Sequence, residues 1–346
     1  MKTPRIIVAT LALAVACTTT GTAAVAQSGT HKTEAQGGIS VGDTAYVDTE
    51  VATLWTEPNI ARDIDRPSTT NPVDLDRWNA NMEDTDTRGW LTGHLETQAL
   101  YGSEVEVDEI SGDWAKVVVH GQDTPRDPRG YPGWVPTRQL VDNGSFAQQR
   151  AQSPRAVVTA EKAGLTGESG PAGGELNLSF NTELPVVGHH GDAVTVALPD
   201  GGRGTVSADD VEVYLPGQTP PRPSGEDVVA TGKQFLGLRY LWAGMSSYGY
   251  DCSGFTYNAY RAHGINIPRD ADAQAEYGTS VAEKDLRPGD LLFFAKPGGT
   301  GAVHHVGMYI GDKKMIHAPN ESTSVSIVDW KQWDSQGEFS GAQRMM

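Results

Sequence analysis

Four prolines, Pro216, Pro220, Pro221 and Pro223, fall close together and divide this 346-residue chain into two stretches of different pattern. Proline fixes φ and donates no backbone hydrogen bond, so residues 216–224 read as a stiff extended linker. Upstream, apolar and polar residues alternate in short runs, as in Glu104-Val105-Glu106-Val107 and Asp113-Trp114-Ala115-Lys116-Val117-Val118-Val119. A period of two puts successive side chains on opposite faces of a strand and predicts β-structure. Downstream, over residues 225–346, the pattern changes to a helix from Glu226 to Leu236, a second helix starting at Cys252, and then strands and loops. Helices followed by an antiparallel sheet make an α+β domain.

The β-rich part divides again. Residues 40–145 carry a strand near Val51 to Trp55 and later strands closed by Gly133-Trp134-Val135-Pro136. Between them lies an insertion with Trp78, Met82 and Trp90, whose separations of 4 and 8 residues are helical. Residues 155–215 repeat the scheme with fewer aromatics, in Leu184-Pro185-Val186-Val187-Gly188, Gly191-Asp192-Ala193-Val194-Thr195-Val196 and Gly204-Thr205-Val206. Gly112-Asp113 and Gly191-Asp192 occupy matching places. Two small SH3-like β-barrels before the α+β domain are therefore expected, the second a spacer or a packing wall.

The first 26 residues read as an export signal, with Lys2 and Arg5 ahead of an apolar run from Ile6 to Ala16 that is too short to span a bilayer. Cleavage fits after Ala26, or before Cys17 as in a lipoprotein signal, which would leave a lipid anchor on Cys17 as the one link to a membrane. Removing Lys2 and Arg5 takes the formal charge from -17 to -19, with 25 basic against 44 acidic side chains. Such a field repels nucleic acid and polyanionic wall polymers and suits a neutral or zwitterionic substrate. A monomer is expected. With Cys17 and Cys252 the only cysteines, no intrachain disulfide is expected.

A lone cysteine can be a small buried hydrophobe. Cys252, however, begins the apolar face Phe255, Ala259, Ala262, with Asp251 before it as a cap. At a helix start, unpaired amides and the dipole stabilise a thiolate. Further on, Val303-His304-His305-Val306-Gly307-Met308-Tyr309-Ile310 reads as a strand, Gly311-Asp312-Lys313 as a turn and Lys314-Met315-Ile316-His317 as the return. His305 and His317 are symmetric about Gly311: an odd loop sets them directly opposite, an even loop diagonal, within reach either way. That suits a base and its orienting partner. His304 points to the other face. Zinc ligation is the rival use of Cys252, His305 and His317, but no short-spaced ligand pair accompanies them, so no metal and no cofactor is expected.

These residues resemble the NlpC-type cysteine peptidases of bacterial cell walls. The resemblance rests on Tyr240-Leu241-Trp242-Ala243-Gly244, Asp251-Cys252-Ser253-Gly254-Phe255, Gly264-Ile265-Asn266-Ile267-Pro268-Arg269, Leu286-Arg287-Pro288-Gly289-Asp290-Leu291, His305-Val306-Gly307-Met308-Tyr309-Ile310 and Ile316-His317-Ala318-Pro319. It implies a papain-like core with Cys252 as nucleophile, His305 as base, His317 as orienting residue and Tyr240 beside the thiol near the oxyanion. Leu95-Glu96-Thr97-Gln98-Ala99-Leu100-Tyr101-Gly102 and Gly130-Tyr131-Pro132-Gly133-Trp134-Val135-Pro136 look like the first SH3-like domain of the gamma-D-glutamyl-L-diamino-acid endopeptidases. In that subgroup the domain closes one end of the cleft. Glu96 and Tyr131, with Asp251 and Ser253, would then hold the free N-terminal amine of L-Ala in a peptidoglycan stem peptide, and Trp242 would also meet substrate. Ala243 and Ala271 depart from the family's common Gly and Ser.

The implied reaction is hydrolysis of the bond between γ-D-Glu and L-Lys or meso-diaminopimelate in released wall peptides. The alternatives are a lytic D,L-endopeptidase on intact wall during cell separation, and a non-catalytic wall-binding protein.

Overall fold

The computed structural model describes residues 38–167 and 175–346; the expected export signal and Cys17 lie outside them. In the first unit, the described residues form one antiparallel sheet in the order Leu95–Leu100, Val51–Trp55, Gly130–Pro136, Trp114–His120, Glu104–Ser111, Thr44–Val47, Leu140–Val141. The second unit repeats this connectivity strand for strand: Glu175–Ser179, Lys162–Gly167, Arg203–Ser207, Ala193–Ala197, Glu183–His190, Arg155–Val158, Val211–Tyr214. Gly112 and Gly191 sit in equivalent hairpin turns at φ 58° and 59°, a conformation that side chains with a Cβ rarely adopt. The weak internal repeat in the sequence is thus a repeat of topology. Each sheet folds around its own apolar interior, with Val105, Val117 and Val135 in the first and Leu165, Val194 and Val196 in the second.

The insertion of the first unit is not one helix. It holds a 3-10 turn at Asp63–Ser68 and two short helices, Leu75–Ala80 and Thr85–Gly89. Asp84 restarts the backbone by accepting from the Thr87 N–H at 2.8 Å, which leaves Met82 and Trp90 outside both helices. The helical spacing still marked shared packing, because Trp78 and Met82 are fully buried in a cluster that includes Leu241, Ala243 and Tyr248 of the last unit. Arg88 is buried there too. Its guanidinium donates to the carbonyl of Tyr240 at 3.2 Å, and Asn79 Nδ2 donates to that of Tyr248 at 2.8 Å.

In the last unit the helices Gly225–Lys233 and Cys252–Arg261 cover an antiparallel sheet ordered Thr279–Ser280, Phe339–Arg344, Leu291–Lys296, Ala302–Gly311, Lys314–His317, Ser326–Asp329. Val228, Phe255, Tyr260, Leu291, Val306 and Met308 meet between the layers. The first helix stops short of Leu236 because Gln234 to Leu236 tighten into three-residue turns and Gly237 N–H turns away to the Val325 carbonyl at 2.9 Å.

Buried polar contacts join the units. Gln98 Oε1 accepts from Met245 N at 3.0 Å and Ser246 Oγ at 2.9 Å, and Asn181 Nδ2 donates to the Asn258 carbonyl at 2.9 Å. Glu50 of the first unit accepts from the Asn177 N–H of the second at 2.7 Å and from the Tyr248 hydroxyl of the third at 3.1 Å. The second barrel is therefore a packing wall rather than a loose spacer.

Candidate active site

Asp251 caps the helix Cys252–Arg261, its Oδ1 accepting from the Gly254 N–H at 2.6 Å, so Cys252 occupies the first helical position. Its side chain turns inward and is 9% exposed. Burial, and then the Asp251 charge, push the thiol up to about 12, although the backbone N–H groups of Val306 and Ser253 and the Arg269 guanidinium pull the other way. Desolvation thus opposes the thiolate that the helix start favours. A base has to take the proton as substrate binds.

The expected base, His305, lies on the strand Ala302–Gly311. Its hairpin with Lys314–His317 pairs Met308 with Ile316, Tyr309 with Met315 and, past a bulge at Ile310, Gly311 with Lys314. Asp312 and Lys313 close it at φ 51° and 58°, the two left-handed residues of a type I′ turn. An even loop leaves His317 diagonal to His305. The rings meet because Gly307 has no side chain between them: a Cβ there would stand 3.3 Å from that of His317. His305 Nε2 and His317 Nδ1 are 2.9 Å apart, a hydrogen bond that aims these nitrogens at each other rather than at a shared ion. His304 faces outward to Glu338 at 3.0 Å.

Burial first, then the other two histidines, hold His305 well below its ordinary range, and burial takes His317 down to about 4. Both imidazoles are neutral at neutral pH. If His305 Nδ1 is to accept the thiol proton, its Nε2 carries hydrogen and donates to His317 Nδ1. His317 then carries its own proton on Nε2, which is buried and has no hydrogen-bond partner. The Trp333 indole packs on both rings, 4.9 Å from His305 and 5.0 Å from His317, in T-shaped contact with the latter. Tyr240 is 5% exposed; burial and then the neighbouring Cys252 raise its phenol well above the ordinary value, so it remains a proton donor. Trp242 Nε1 donates to the Leu95 carbonyl at 3.2 Å and ties the cleft to the first barrel.

Arg269 organises the end of the cleft next to Cys252. Fully buried, it bonds Asp251 at 2.8 and 3.2 Å, Ser253 Oγ at 2.9 Å and Thr97 Oγ1 of the first barrel at 3.1 Å, while its own N–H donates to the Asp123 carbonyl at 2.8 Å. The Tyr131 hydroxyl donates to Asp270 Oδ2 at 2.8 Å. Glu96 is chelated by Arg126, Nη1 to Oε2 at 2.5 Å and Nη2 to Oε1 at 2.9 Å. Through Arg126 to the Tyr131 hydroxyl at 3.3 Å and Asp270 to Arg269 at 3.9 Å, Glu96, Tyr131, Asp251 and Ser253 lie on one connected network, with each of its two expected carboxylates already facing a guanidinium. The sequence reading missed Arg126, Arg269, Asp270 and Trp333 as parts of the site. Arg269 had a signal, since an acid beside a buried nucleophile demands a cation; Arg126, in a Pro-rich loop, had none.

An α+β papain-like domain with a thiol at a helix start and paired imidazoles on the facing sheet defines the class. Family models match at residues 237–342, the NlpC/P60 family, and at residues 158–214, the YKFC SH3b2 domain. A gamma-D-glutamyl-L-lysine dipeptidyl-peptidase of Bacillus cereus is 45% identical over 87% of this chain and 91% of its own length. One of Bacillus subtilis is 37% identical over 80% of this chain and 90% of its own. The crystal structure of an NlpC/P60 family protein from Bacillus cereus superposes with a TM-score of 0.85 at 45% identity, covering 88% of this chain and 99% of that one. The chain belongs to the NlpC/P60 family.

Proposed function

We propose that this protein is a cysteine peptidase hydrolysing the bond between γ-D-Glu and an L-diamino acid, L-Lys or meso-diaminopimelate, in peptidoglycan stem peptides with a free N-terminal L-Ala. The observations that carry the reading are the Cys252 sulfur against the Val306 N–H beside His305, the His305–His317 pair at 2.9 Å, and Arg269 joining Asp251 at the helix start to Thr97, next to Glu96, of the first barrel. Relatives aligned over 87% and 80% of this chain, and named gamma-D-glutamyl-L-lysine dipeptidyl-peptidases, support it.

His305 takes the Cys252 proton as sulfur attacks the γ-carbonyl carbon, and His317 holds the imidazolium in line. First-turn amides and the Tyr240 hydroxyl face the developing oxyanion. The carbon–nitrogen bond breaks as His305 returns the proton to the leaving amine of the diamino acid. The thioester is then hydrolysed by a water deprotonated by His305. The amine end sets the cutting distance: a protonated N-terminus held at Glu96 and Tyr131 fixes how far the γ-carbonyl lies from sulfur.

Export is part of the proposal, supported by Lys2, Arg5 and the apolar run to Ala16, with a lipid anchor on Cys17 or release after Ala26. The test is digestion of L-Ala-γ-D-Glu-L-Lys with and without N-acetylation, read by mass spectrometry. Wild type should prefer the free amine by at least about tenfold, the worth of a charge-assisted hydrogen bond. Cys252→Ala should be inactive yet folded, and iodoacetamide should inactivate wild type where a chelator does nothing. Equal cleavage of the two peptides would instead favour lysis of intact wall.

A further inference from the structure

The first barrel already holds a cation where the proposed substrate's ammonium has to go. Arg126 reaches Glu96 with two nitrogens, at 2.5 and 2.9 Å, and its Nη1 stands 3.3 Å from the Tyr131 hydroxyl. Its guanidinium carbon lies 5.2 Å from the Tyr131 ring centroid. One side chain thus engages both first-barrel groups expected to read the amine. We propose that Arg126 is a specificity-determining latch: its guanidinium stands in for the substrate's N-terminal ammonium on Glu96, and a free-amine peptide binds by displacing it. This inference rests on the reading of Glu96 as an amine-binding residue.

Several observations make the side chain movable while its backbone stays in place. Thr124 and Asp127 bridge across the loop, and the Arg126 N–H donates to Thr124 Oγ1 at 3.3 Å. Beyond that backbone the side chain is 44% exposed, and its ionic partner is Glu96. The other loop arginine is differently employed, Arg129 bonding Glu106, Asp108 and Asp127. Arg269, 1% exposed and bonded on every side, is a fixed part of the site. Glu96, 17% exposed, has lost most of its water, and an unpaired carboxylate there would be costly when no substrate is bound. Arg126 supplies the missing charge and, when displaced, turns to solvent at little cost. A compact ammonium can replace it on Glu96 and Tyr131. A neutral N-acyl amide cannot, so such a peptide meets a closed pair.

The experiment is steady-state kinetics of wild type, Arg126→Gln and Arg126→Lys on L-Ala-γ-D-Glu-L-Lys and its N-acetyl form, with L-Ala-γ-D-Glu titrated calorimetrically into each protein carrying Cys252→Ala. Removing the competing cation should lower KM for the free amine, and Kd for the dipeptide, by roughly three- to tenfold, the worth of a half-exposed ion pair, while kcat stays within about twofold. Arg126→Lys, which keeps a cation on Glu96, should stay near wild type and shows that the loop tolerates substitution. A KM that is unchanged or raised in Arg126→Gln, with the free-amine preference intact in wild type, overturns the latch alone. Absence of that preference in wild type overturns the reading of Glu96 and the latch with it.

Discussion

His304 and His305 are neighbours in sequence, yet one is exposed against Glu338 and the other is buried against His317. His305→Ala should therefore abolish measurable turnover while His304→Ala stays within a few-fold of wild type. His317→Ala falls between, since an orienting group is less costly to lose than the base it holds; kcat/KM on one peptide ranks the three. Trp333 makes a subtler case. It packs against both imidazoles, beside a His317 whose Nε2 is buried without a hydrogen-bond partner. Trp333→Leu should admit water, let the depressed histidines return toward the ordinary value near 6.5, and move the acidic limb of the kcat/KM profile upward in pH. Trp333→Phe, which keeps an aromatic face, should restore most of the wild-type profile. An acidic limb that does not move in the leucine variant would reduce Trp333 to packing.

Between the two histidine-bearing strands the deciding residue is a glycine. A Cβ at position 307 would come within 2.7 Å of Met315 Sδ and 3.3 Å of the His317 Cβ. The methionine can yield, but the histidine has to shift by tenths of an ångström, out of line with His305. Gly307→Ala should cost roughly 1–3 kcal/mol of stability by overpacking and lower kcat more than that loss explains, checked by thermal melts beside kinetics. Much of this element was legible beforehand. Alternation around His305 predicted the strand, and a polar pair after Gly311 the turn. The register was not, because the bulge at Ile310 and left-handed Asp312 and Lys313 answer to sheet twist rather than to a turn-residue signature. Tertiary contacts likewise defeated the period in the insertion, where buried Arg88 and half-buried Asn79 attend to the Tyr240 and Tyr248 carbonyls and the backbone breaks to let them. Cys252, His305 and His317 could be read from chain order; the guanidiniums at the amine end meet their partners across long separations, Thr97 to Arg269 among them, which no local pattern encodes.

For the molecule as a whole, buried titratable groups pull stability in opposite directions as pH changes. His317 is held neutral, down to about 4 from an ordinary 6.5, so below pH 6.5 the unfolded chain binds the proton the folded one refuses. Its contribution, present above 6.5, is lost as pH falls to about 4 and is worth about 3 kcal/mol at most. Asp48 runs the other way: burial and then Asp200 raise it to about 7, so the stability it confers when protonated fades as pH climbs toward neutrality. A difference measurement separates the two. Between pH 6.5 and 4, urea-derived stability should fall less steeply in His317→Gln than in wild type, and parallel slopes would mean that His317 is not desolvated in solution. The junction at Glu50, where one carboxylate joins all three units, predicts that they unfold together in that assay. On the proposed reading, the chemistry and part of the selectivity sit on different stretches of chain. The sulfur and imidazoles belong to the last unit, whereas Glu96 and Tyr131, proposed to read the substrate's amine end, belong to the first. On that reading a changed residue 126, whose side chain meets Glu96 and Tyr131, would alter which peptides are admitted and leave the sulfur and imidazoles as they are, so new diets are open to this scaffold without any reinvention of its catalyst.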